Sequence, residues 1–214
     1  MLKALVLMTV GAIALAAMPA NAADQSVRGK KLLIINKSTP GKSVLVFLSK
    51  DPNIVKTLAG GSGDPIIHGG EVRVKTSSTD TALPVPGGGA TDGVWVTNGA
   101  GTIWKYKKGD GTLGDACKVV LVKGGFVKAV CKGPAVDAIA IDTSAPNLNV
   151  EAQISTGDQT YCAFFNAANT CSQVKDGSFN GGGTVAKYLS KNCGAAVGVC
   201  SSPSGAFLEE AELL

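Results

Sequence analysis

Short runs in which apolar and polar residues alternate, separated by glycine, proline, serine and asparagine, recur along most of this chain. A period of two sends successive side chains to opposite faces of an extended strand. The clearest case is the stretch from Cys117 to Cys131, CKVVLVKGGFVKAVC, where two valine-rich runs flank Lys123-Gly124-Gly125. Glycine supplies the positive φ of a tight turn, so the segment reads as a hairpin. With a three-residue loop, Val122 faces Phe126, Val120 faces Lys128, and Cys117 falls opposite Cys131, close enough for a disulfide. That register places Cys117, Val119, Leu121, Val127, Ala129 and Cys131 on one face, taken as the core side.

The same patterning predicts strands near residues 31–36, 43–49, 71–76, 93–97, 102–107, 138–142, 148–155, 160–165 and 184–189. No stretch between the ends of the chain has convincing helical periodicity, and the acidic segment at 201–214 is read as a short amphipathic tail. Many short strands joined by turns predict an all-β fold, an antiparallel β-sandwich stapled by disulfides. The break near Gly133-Pro134 is read as a boundary between two sandwich-like halves, 23–133 and 134–200. A second hairpin turns at Asn98-Gly99-Ala100-Gly101 and sets Trp95 opposite Trp104, with Tyr106 on the same face. Exposed, these three aromatic residues would form a ligand-binding face for a sugar ring or another protein; buried, they would fill the core.

Residues 1–22 read as a secretory signal: Lys3, then an apolar run, then Ala20-Asn21-Ala22 as the cleavage motif. The expected product is periplasmic or extracellular, without stable membrane insertion once the signal is removed. The formal charge of +4 is weak. Lysines are scattered through the strands, which reads as a solvated surface and gives no case for nucleic acid.

Six cysteines in an exported chain imply full oxidation. Beyond Cys117 and Cys131, the remaining Cys162, Cys171, Cys193 and Cys200 allow three connectivities. A nested pairing, Cys162 with Cys200 and Cys171 with Cys193, would tie the polar loop and C-terminal arm to the last strands; local pairing fits the spacing nearly as well. With His68 the only histidine, a histidine-rich metal site is excluded, and a catalytic triad has a single candidate base, which its glycine neighbours assign to a turn. Asp64, Glu71, Asp92, Asp110, Asp115 and Glu151 are available for acid pairs. Lys108 to Gly111 and Thr156 to Asp158 read as plain turns before calcium loops. No cofactor motif is present: Gly41-Lys42-Ser43 lacks the first glycine of a nucleotide loop, Asn36 standing in its place.

Leu48-Ser49-Lys50-Asp51-Pro52, His68-Gly69, Trp104-Lys105-Tyr106-Lys107, the central CKVVLVKGGFVKAVCKG and Tyr161-Cys162-Ala163-Phe164-Phe165 together resemble an uncharacterised family of exported bacterial β-domains, over about 31–200. That resemblance implies the fold unit and no mechanism, and Asn166-Ala167 stand where the family would have glycines. The expected function is a non-enzymatic binding or structural module, its partner a glycan or a cell-surface protein. The alternatives are a carbohydrate-active hydrolase using two carboxylates and an assembly subunit pairing through a strand edge.

Overall fold

A computed structural model describes residues 24–87, 93–108, 116–141, 149–166, 171–175, 178–179, 185–194 and 199–200. The expected signal at 1–22 and the acidic tail at 201–214 lie outside these residues, as do Asp92, Asp110 and Asp115. Two sheets face one another. The smaller contains β1 (Gln25–Ser26), β4 (Gly70–Lys75), β5 (Asp80–Val85), β10 (Asn149–Thr156) and β11 (Gln159–Asn166), ordered β1-β11-β10-β4-β5. The larger contains β2 (Gly29–Lys37), β3 (Val44–Lys50), β6 (Gly93–Thr97), β7 (Ile103–Lys108), β8 (Cys117–Lys123), β9 (Phe126–Lys132), β12 (Ser172–Lys175), β13 (Ser178–Phe179) and β14 (Val185–Lys191). Its order is β12-β14-β2-β3-β9-β8-β7-β6, with β13 also on β14. Every pairing is antiparallel except β1 with β11. The all-β, disulfide-stapled sandwich predicted from the sequence is the fold.

The inward faces interlock. Phe47 of β3 meets Phe165 of β11 edge to face, ring centroids 6.0 Å apart, and the Tyr188 hydroxyl on β14 donates to the Phe165 carbonyl at 2.8 Å. Both phenylalanines are fully buried, and each contributes roughly 1.5–3 kcal/mol by the area it removes from water. These contacts join residues from both sides of Gly133, and β14 pairs with β2 while β10 pairs with β4. Gly133-Pro134 is therefore a link inside one core, correcting the division into halves. The predicted strand at 138–142 is also corrected over its described part. A single turn, α2 (Pro134–Asp137), leads into a cover in which Val136, Ile139 and Ile141 are buried. The apolar run there closes the interior without joining a ladder; Asn36 donates to the Ile139 carbonyl, and Thr81 to that of Ala138.

The central hairpin pairs as expected at its cysteines and differently at its turn. Gly124-Gly125 forms a two-residue loop, with Gly125 at φ 74°, and Lys123 pairs with Phe126. The register then runs Val122 to Val127 and Val120 to Ala129 until a bulge at Lys118 restores Cys117 opposite Cys131. The core face of β8 is consequently Val120 and Val122, not Val119 and Leu121, while β9 buries Val127, Ala129 and Cys131 as predicted. All six cysteines are paired: Cys117–Cys131, Cys162–Cys200 and Cys171–Cys193, the nested arrangement.

One end of the sandwich is closed by the segment 51–69, which docks on the β10–β11 turn. Gly157 sits at φ 54°, its N–H donating to the Gly69 carbonyl at 3.0 Å, and the Asp158 N–H donates to Ser62 at 3.2 Å. A Cβ at Gly157 would lie 1.9 Å from the Ser62 carbonyl oxygen. Gly157→Ala therefore combines a clash with a left-handed backbone and is expected to cost about 2–4 kcal/mol. Urea denaturation measures it, and an unchanged midpoint would mean that the turn and the segment do not dock.

Candidate functional site

The aromatic face proposed from sequence is interior. Trp104 and Tyr106 are 0% exposed and Trp95 is 6% exposed. The loop of this hairpin is longer than predicted, because Asn98 folds it back, its carbonyl accepting from the Gly101 N–H and its side chain from the Thr102 N–H, each at 2.8 Å. Trp95 consequently pairs with Tyr106, their rings 5.6 Å apart, and Trp104 pairs with Thr97. The shift is two residues, so the three aromatics keep a common face, and that face is the core. Their expected role as a binding platform is corrected on this ground.

Segment 51–64 supplies the polar partner of Trp104. The Trp104 indole donates to Thr57 Oγ1 at 3.2 Å, and Thr57 Oγ1 donates to the Gly63 carbonyl at 2.7 Å. The Lys56 ammonium lies 3.8 Å over the same indole. Burial pushes Lys56 below the ordinary lysine range, against the attraction of Asp64. Across the sandwich, Tyr161 of β11 donates to the Val55 carbonyl at 2.9 Å. Desolvation pushes its phenol up to about 12, against the backbone of Thr57 and the hydroxyl of Thr156.

Of the candidate acids, Asp64 is a cap. Its carboxylate accepts from the Ile66 N–H at 2.8 Å and the Gly60 N–H at 2.7 Å, opening the single turn α1 (Pro65–His68). His68 ends that turn, exposed to solvent. Glu71 and Glu151 share the outward face of the smaller sheet with Arg73 between them. Glu71 pairs with Ser155 and Glu151 with Lys75, so the backbones of the two acids are offset by about 13 Å along the strands. Arg73 binds Asp80 through two bonds of 2.6 and 2.5 Å, and Glu151 accepts from Gln153 at 2.6 Å. Desolvation raises Glu71, opposed by Arg73 and reinforced by Asp80. Among the described residues no group of histidine, cysteine, aspartate or glutamate is arranged to hold a metal ion. The Thr156 to Asp158 segment is a hairpin turn, and Gly109 to Gly111 lie outside the described residues.

The surface that the sequence reading missed is the outer face of the larger sheet. Among the described residues none of its nine strands contains aspartate or glutamate, yet they carry most of the chain's lysines. Registered across the ladder, one outward row runs Lys31, Leu48, Lys128, Leu121, Lys105 and Val96. The adjacent row is apolar at its centre, with Leu33, Val46, Val130 and Val119 followed by Lys107 and Val94. The central aliphatic side chains of these rows are partly exposed, and Val94 and Val96 on β6 are exposed. Lysines that look scattered along the chain are thus gathered into one plane by strand pairing. The signal in the sequence was the absence of acids from these strands.

No protein-family model, curated protein or solved structure matches this chain.

The buried phenol gives this end of the molecule a defined pH response. A free tyrosine ionises near 10, and Tyr161 in the fold ionises at about 12. Its contribution is complete below pH 10 and is lost as pH rises toward 12, because the unfolded chain releases the proton first. The expected loss is roughly 2–3 kcal/mol over that window. Urea midpoints at pH 9 and pH 12 should fall less for Tyr161→Phe than for the native chain; parallel falls would show that Tyr161 is not held neutral.

Proposed function

We propose that this chain is an exported, non-enzymatic binding or structural module that works through the outer face of its larger sheet on a polyanionic partner. The observation carrying this reading is the segregation of charge: strands free of acid, with lysines repeating in register between aliphatic residues. An array of one sign attracts an extended anion. Three disulfides support an oxidising compartment, and the apolar run with its cleavage motif at the start of the chain supports export. The offset of Glu71 from Glu151 weighs against the two-carboxylate hydrolase.

The test is retention on an immobilised sulfated polysaccharide across a salt gradient. Lys105→Gln/Lys128→Gln removes two charges from the face; Lys42→Gln/Lys75→Gln removes two charges elsewhere. The first pair is expected to elute at markedly lower salt than the second and to give a shallower dependence of affinity on salt. Identical elution of the two variants would reduce the interaction to net charge and overturn the reading.

A further inference from the structure

We propose that the partner of this face is the headgroup surface of an anionic lipid bilayer, on which the protein lies without crossing it. This deepens the polyanion reading above and rests on it. The face has the composition of a membrane-surface contact and lacks that of the competing ones. Its paired outward rows contain lysine, leucine, valine, isoleucine and phenylalanine, without arginine, tryptophan or tyrosine. Protein interfaces favour arginine and aromatic anchors and are depleted in lysine. Sugar and single-stranded nucleic-acid platforms use outward aromatic rings, and here Trp95, Trp104, Tyr106 and Tyr188 are all buried.

Lysine beside an aliphatic neighbour does one thing well: its ammonium reaches a phosphate while its stem and that neighbour rest against the headgroup and acyl boundary. The row Lys31, Leu48, Lys128, Leu121, Lys105 and Val96 repeats that pair three times across six strands. At about 4.8 Å per strand the row extends over roughly 24 Å, suited to a laterally continuous partner. Phe126, with the Lys123 ammonium 5.4 Å from its ring centre, adds one aromatic ring to the same side. Among the described residues no helix is long and apolar enough to cross a membrane, so the association proposed is peripheral.

The experiment is co-sedimentation of the full mature chain with vesicles of phosphatidylcholine containing phosphatidylglycerol, and with vesicles of phosphatidylcholine alone. Binding is expected to the first and not to the second. Each lysine near an anionic surface contributes about a factor of five, so Lys105→Gln/Lys128→Gln should bind roughly twenty-five-fold more weakly. Leu121→Ser/Val96→Ser keeps every charge and should also weaken vesicle binding, while leaving retention on the sulfated polysaccharide unchanged. Circular dichroism and urea midpoints establish that each variant is folded, and Lys105→Gln/Lys128→Gln serves as the surface variant should the apolar pair fail to fold. Retention on the polysaccharide without binding to anionic vesicles would overturn the lipid assignment and leave the polyanion reading standing. Loss of both in the native chain would overturn both. Vesicle binding unaffected by Leu121→Ser/Val96→Ser would show that the aliphatic positions take no part, and the lipid assignment would fail.

Discussion

Strand parity is the constraint on which everything else in this molecule rests. A residue that faces the interior forces both its chain neighbours outward, and pairing extends that choice to the next strand. In the larger sheet the interior claims Leu32 and Ile34, then Leu45 and Phe47, then Val127 and Ala129, then Trp104 and Tyr106. The residues between them are left for the other side, and those are lysines and aliphatics. The smaller sheet resolves the same constraint differently. Val72, Val74, Ala152 and Ile154 face inward, while Glu71, Arg73, Glu151 and Gln153 stand on the opposite side. The chain's electrostatics are therefore laid out by its core.

Two hairpins show how far such a layout can be read from a sequence. In the Trp95 hairpin, Asn98 lengthens the loop and moves the register by two residues; an even shift keeps parity, so the shared aromatic face was legible although the pairs were not. In the cysteine hairpin the two-residue turn moves the register by one, and an odd shift reverses a face. The bulge at Lys118 then reverses it again, which is why Cys117 and Cys131 were matched correctly while Val119 and Leu121 were assigned to the wrong side. No local pattern announces a bulge at a lysine within a valine run. The lysine face was hidden for a related reason. Its members belong to strands that meet only after folding, and β14 reaches β2 from far along the chain. β5 is absent from the strands predicted above; it contains Pro84, which a sheet edge tolerates, and β5 is an edge.

The sheet edges bear on the alternative of assembly through a strand. The smaller sheet ends in β1, only two residues long, and in β5, which carries Asp80 and Pro84. Both are devices that discourage further strand pairing. One end of the larger sheet, β12, has an irregular register between Gln173 and Lys175. The other, β6, has Val94 and Val96 outward and neither charge nor proline. An assembly contact through a strand edge would start at β6. Its valines nevertheless continue the rows of the lysine face, pairing with Lys107 and Lys105, so the same residues are accounted for as the margin of that surface.

A face built from one sign of charge must also be compatible with folding. Like charges directly opposite one another on adjacent strands destabilise a sheet. In the row through Lys128 and Lys105 the lysines are separated by Leu121, which doubles the spacing to about 10 Å, comparable to the screening length of physiological salt. The interposed leucine thus lowers repulsion in the folded chain and supplies apolar area between the charges. Lys191 and Lys31 do pair directly, at the far side of the sheet where β14 ends. The alternation of lysine and leucine is regular over β3, β9, β8 and β7, at the centre of the sheet. Stability and surface chemistry impose the same spacing there, and that coincidence is what makes the centre of the larger sheet the most economical place to carry a function.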